Sequence, residues 1–167
     1  MNMFVNVPVY PPTDFKGGVH SNFDTLYSIA WLDLTEEPLV IAAPDTVGRF
    51  YLLPVLDMWS NVFVAPGWHT TGKQSGPFLV TPPGWTGTVP AGLKQLRAPA
   101  SFVWIIGKTR SNGASDYASV HKIQAGYTVT PLSQMGKQAE PLSEIADPVV
   151  AMKTLPKIQV DSLSAAN

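Results

Sequence analysis

Between Phe23 and Pro131 the chain alternates short apolar runs with turn-forming residues. The apolar runs are rich in Val, Ile, Leu, Phe, Tyr and Trp, and none is long enough to sustain a helical period. This pattern predicts strands near 23–34, 38–43, 49–54, 55–64, 77–81, 93–98, 101–110 and 127–131. Sixteen prolines and thirteen glycines punctuate the runs. Short strands with turn signals at this density point to a mostly β chain folded as an antiparallel sandwich. One accessory helix is expected over "SDYASVHKIQAGY", near 115–125. Ser115 stands at its cap, Asp116 in its first turn and Gly126 at its end. Tyr117, Val120 and Ile123 or Gln124 would face the sheet.

The strongest local signal is "LVIAAPDTVGRFYLLP". Two apolar runs flank Asp45, Thr46, Val47 and Gly48, which predicts a hairpin with a left-handed Gly48. Asp45 and Arg49 bracket the turn and are expected to pair. From Pro131 the periodicity fades: residues 132–167 read as an extended linker ending in the start of a helix. The expected organisation is a β-sandwich domain over 1–131, followed by a bridge to a further module. On this reading the chain is a fragment, the front part of a longer protein.

Within the strands, alternation sorts side chains onto two faces. Phe23, Thr25, Tyr27, Ile29 and Trp31 share one face of "NFDTLYSIAWLDL"; neither face is mainly polar, so this strand is expected to be central and covered on both sides. Asn22, Asp24 and Thr25 stand at its start, where such side chains bond to backbone groups or line a pocket. In "LDMWSNVFV", Asp57, Trp59, Asn61 and Phe63 would share a face. An acid, an indole and an amide there suit a ligand such as a sugar, or a contact with a second domain. The candidate ligand-facing or interface residues are Asn22, Asp24, Tyr27, Arg49, Asp57, Trp59, Asn61 and His69.

Composition narrows the functions. Eleven basic against twelve acidic residues give a net charge of −1, which offers nothing to nucleic acid or to an anionic membrane. The charged fraction of 14% is low for a globular domain, so much of the surface is neutral or covered. The absence of cysteine excludes disulfides and thiolate chemistry. The most apolar run, Phe50 to Val64, is interrupted by Pro54 and Asp57 and too short to span a membrane. "GWHTTGKQ" matches the spacing of a phosphate-binding loop from Gly67 to Lys73, but Gln74 stands where Ser or Thr is needed. His20, His69 and His121 share no metal-ligand spacing, and no motif for a cofactor or an exposed catalytic serine occurs. Trp68 and Trp85 lie in Pro/Gly-rich loops, as plugs for the sandwich ends or as platforms.

Taken in order, "NVPVYPP", "SNFDTLYSIAWLDL", "PDTVGRFYLLPVLDMWSNVFVAPG", "PPGWTGTVPAGL", "SFVWIIGKTRSNGASDYASVHKIQAGYTVTPLS" and "MKTLPKIQV" resemble the domain-of-unknown-function 1254 family over nearly the whole chain. The family's R-P-N-x-D-T-L-Y motif is matched at Asn22, Asp24, Thr25 and Tyr27, whereas His20 and Ser21 replace its Arg and Pro. The resemblance implies an immunoglobulin-like or jelly-roll-like sandwich. It also implies a second, jelly-roll-like module of the domain-of-unknown-function 1214 family, a bacterial setting and, in some relatives, export. It implies no activity or catalytic residue. Two functions follow as expectations: a non-catalytic module that packs on that second module or on another copy of itself, and a hydrolase-like enzyme using Asp24, Asp57, Arg49 and His69 between the modules.

Overall fold

The structure is a computed structural model, and it describes residues 1–12, 22–72 and 76–137. Two sheets carry the fold. In chain order the strands are β1 (Phe4–Asn6), β2 (Thr25–Asp33), β3 (Leu39–Ala42), β4 (Tyr51–Leu52), β5 (Val55–Leu56), β6 (Val62–Val64), β7 (Phe78–Thr81), β8 (Lys94–Arg97), β9 (Phe102–Arg110) and β10 (Thr128–Pro131). The helices are α1 (Trp68–Thr71) and α2 (Tyr117–Gln124). The first sheet runs β1-β2-β9-β5-β6, with β4 also on β9; the second runs β10-β3-β7-β8. The chain is thus mostly β and sandwich-like, as the alternation predicts.

Alternation places the core. Leu26, Ala30 and Leu32 of β2 and Val103 and Ile105 of β9 are buried on the inner face of the first sheet. Ala30, Leu32, Val103 and Ile105 meet Leu39 and Ile41 of β3 and Phe78 and Val80 of β7 from the second sheet, together with Tyr51, Leu53 and Val55. Gly107 allows β2 and β9 to close: a Cβ there would lie 2.7 Å from the Ser28 carbonyl oxygen.

Several elements differ from expectation, each for a local reason. Residues 38–54 do not form a hairpin, because β3 joins the second sheet while β4 pairs with β9 in the first. The Thr46–Arg49 turn is real, closed by an Arg49 N–H to Thr46 carbonyl bond of 2.9 Å, with φ of 53° at Val47 and 75° at Gly48. It carries the chain between sheets instead of folding it back. The predicted strand 55–64 is broken at Ser60, whose φ is 66°, so β5 and β6 form the hairpin instead. Strands β7 and β8 pair in parallel. The Pro/Gly-rich residues 82–93 are long enough for the crossover that parallel pairing demands.

Helix α2 buries Val120, Ile123 and Gln124 and follows a 3₁₀ turn at Ala114–Asp116. Ser115 lies inside that turn and does not cap the helix, and the capping residue Asp116 makes no side-chain cap bond. Gly126 fits because a Cβ would sit 2.6 Å from Pro44 Cγ. Leu132–Gln134 form a further 3₁₀ turn tied to Glu37 through Ser133. They belong with the body that ends at Lys137, whereas the expected linker and helix beyond it lie outside the described residues.

Candidate functional site

The candidate residues separate into three places. Asn22, Asp24, Arg49 and His69 gather at one end of the sandwich around a cleft of about 1540 Å³. Tyr27 lies on the outer face of the first sheet. Asp57, Trp59 and Asn61 form the β5–β6 turn at the opposite end of β9 from Asp24.

At the cleft, Asn22 orders the start of β2. Its carbonyl oxygen accepts from Asp24 N at 2.8 Å and Thr25 N at 3.2 Å, while its amide donates to Thr25 Oγ1 at 2.8 Å. Asp24 and His69 line the cleft with Asp45, Arg49, Arg110 and Lys122. Arg49 is paired with Asp116, not with Asp45: Nη1 and Nη2 donate to the two carboxylate oxygens at 2.5 and 2.8 Å. Nη1 also donates to the Arg110 carbonyl at 2.9 Å. Asp45 is diverted to its own turn, accepting from Val47 N at 2.8 Å. The Arg49 fork and the Asn112 N–H hold the Asp116 carboxyl below the usual carboxylate range. His69 packs its ring 5.8 Å from that of Phe50. Among the described residues no hydrogen bond joins Asp24 or His69 to another titratable side chain, so no nucleophile–base pair is assembled.

The pairing with Asp57 required of a hydrolytic site is not formed. Trp104 on β9 donates its indole N–H to the Asp57 carbonyl, whereas Ser111, just past β9, donates its N–H to the Asp24 carbonyl. At about 3.3 Å per residue, the chain between Trp104 and Ser111 separates the two acids by roughly 20 Å. Asp57 is committed to its turn. One carboxylate oxygen accepts from Trp59 N and Asn61 N, both at 2.9 Å, and the other from the Asn61 side chain at 3.0 Å. These bonds, the Asn61 amide foremost, lower its pKa. The Asp57 carboxylate is therefore engaged within its own turn, and Trp59 beside it is 78% exposed.

On the outer face of the first sheet, pairing with β9 adds Phe102, Trp104 and Ile106 to the face that carries Tyr27, Ile29 and Trp31. Antiparallel register pairs Tyr27 with Lys108, Ile29 with Ile106, Trp31 with Trp104 and Asp33 with Phe102. The Trp31 and Trp104 rings stack at 5.1 Å and 9°, and the Lys108 ammonium lies 5.8 Å from the Tyr27 ring. Trp31 remains 42% exposed and Phe102 39%. Leu56 and Val62 continue the apolar band, and Val62 is 55% exposed. The expectation that β2 is covered on both faces is thus met on one face only. Its two-residue alternation revealed which residues share a face, but nothing local records whether that face has a partner.

Gly67 and Trp85 each make a close local contact, while Trp68 lines the cleft. Gly67 starts the four-residue α1, and a Cβ there would lie 2.7 Å from the Tyr51 carbonyl oxygen. The Trp85 indole rests on Gly87, where a Cβ would come within 2.3 Å of the ring. No group of three or more His, Asp or Glu side chains suited to a metal ion occurs among the described residues. No helix among them is long and apolar enough to cross a membrane.

Comparison with known proteins adds a family and a length. No curated protein matches the chain. The crystal structure of the VPA0106 protein from Vibrio parahaemolyticus is similar, with a TM-score of 0.68 and 26% identity over 88% of this chain. The match covers 35% of that protein, so the present chain spans about a third of its relative's length. A profile of proteins of unknown function, DUF1254, matches residues 1–131, and the chain belongs to that family.

Proposed function

We propose that this chain is the β-sandwich module of a two-module protein and serves assembly: the outer face of its first sheet packs on a second, jelly-roll-like module. The observation that carries this reading is the Trp31–Trp104 stack on one sheet face with exposed Phe102 and Val62 and half-buried Ile29 and Ile106, an apolar band that the described residues leave partly open. The solved relative supports the choice of occupant, since nearly two thirds of its chain lies outside the matched region. The low charged fraction agrees, because an interface core is depleted in charge.

The test places an arginine at the centre of the face. Trp31→Arg in the complete polypeptide should leave each module folded but open the contact, seen as new proteolytic cleavage between modules and a larger hydrodynamic radius. An unchanged radius and digestion pattern would refute the assignment. A complex of twice the chain mass that Trp31→Arg dissociates would give the face to a second copy instead.

A second reading keeps the cleft as a ligand site, since Asp24, Arg49 and His69 line one concavity. It predicts that small polar fragments shift the resonances of these residues and that Asp24→Asn abolishes the shift. A cleft that no fragment perturbs would end it.

A further inference from the structure

We infer that Trp59 is the anchor of this interface, inserted into an apolar pocket of the second module, and that Asp57 is its positioning residue; this rests on the assembly reading above. Among the described residues Trp59 is the most exposed large aromatic side chain, and its neighbours Met58 and Val62 are 49% and 55% exposed. The turn that carries it is fixed before any partner arrives. Besides the three bonds to its carboxylate, Asp57 N donates to the Asn61 carbonyl at 3.1 Å, and Ser60 N donates to the Asp57 carbonyl at 3.1 Å. Trp104 Nε1 reaches that same carbonyl at 3.2 Å, which ties the turn to the tryptophan face and makes the two surfaces continuous.

Holding non-glycine Ser60 at a φ of 66° costs conformational energy that the turn's hydrogen bonds offset. A rigid, projecting indole suits an anchor, because the ordering cost of binding is already met. A sugar platform would draw on the polar groups beside the ring, and here the Asp57 carboxylate is already engaged by the N–H groups of Trp59 and Asn61. The largest exposed side chain of the turn is the indole. The solved relative, with about 65% of its length beyond the match, supplies a partner of the required kind: further polypeptide of the same protein.

Hydroxyl-radical footprinting of the present chain and of the complete polypeptide tests this. Trp59 and Trp31 should both be oxidised at least about fivefold more slowly in the complete polypeptide, the protection expected of an anchor worth roughly one kcal/mol or more. Asp57→Ala should return Trp59 toward its free reactivity, while Asp57→Asn, whose amide oxygen still accepts the turn's N–H groups, restores protection. Protection of Trp31 with Trp59 fully reactive would overturn the anchor and leave the assembly reading standing; protection of neither would remove both. Full protection of Trp59 in Asp57→Ala would remove the positioning role.

Discussion

Arg49 shows how far a single residue can be read. A cation inside apolar strands needs a partner, and the nearest acid along the chain, Asp45, is the natural choice. The turn takes Asp45 for its own Val47 N–H, and Arg49 instead crosses to Asp116, which no spacing in the sequence announces. Both side chains are mostly buried in the pair, at 20% and 15% exposure. Arg49→Ala is therefore expected to destabilise the fold by roughly 1.5–3 kcal/mol in a denaturant titration. The pair also sets an acid dependence. Asp116 has a folded pKa below its ordinary 3.8, so its stabilisation is present above that value and is lost as pH falls through the lowered one. Asp116→Asn should unfold at a less acid-sensitive midpoint.

At the alkaline end the sign reverses. Burial pushes the Tyr127 hydroxyl up from 10.0 to about 12, while Thr109 shares a 2.7 Å hydrogen bond with it. Its stabilisation is complete below pH 10 and falls away as pH rises toward 12. Tyr127→Phe should flatten that alkaline limb while costing about 1 kcal/mol at neutral pH through the lost bond. Circular dichroism across pH 9–12 would show both effects.

Among the elements, β2, β3, β7, β9 and α2 are legible because alternation, turn residues and helix-side periodicity act within each segment. What failed was pairing and continuity. Residues 55–64 alternate acceptably as one strand, yet Asp57 offers the backbone a tighter competing set of hydrogen bonds and folds a turn there. The turn at Thr46–Arg49 was visible, but its role as a bridge between sheets depends on tertiary partners. Its Val47 is a β-branched residue at a φ of 53° with 87% of its surface exposed. Such a residue is poorly suited to the left-handed region. Val47→Asn should raise stability by about 1 kcal/mol, because the two-residue turn then carries the Asn-Gly pair its geometry favours. A lower midpoint in thermal unfolding would show that Val47 makes a contact worth more than its strain.

For the whole molecule, the layered β architecture was readable, and so were the side chains that share the outer face, but not whether that face is covered. The sequence placed Tyr27, Ile29 and Trp31 on one face, but whether that face is covered depends on what lies opposite it, and a single chain does not encode that locally. In the isolated chain Trp31 is half-exposed, so its apolar area becomes useful only once a second surface excludes water. The most direct measurement is solvent exchange at the Trp31 indole N–H by NMR, in the present chain and in the two-module polypeptide that the assembly account proposes. The assembly account predicts fast exchange in the first and strong slowing in the second; equal, fast exchange in both would contradict it.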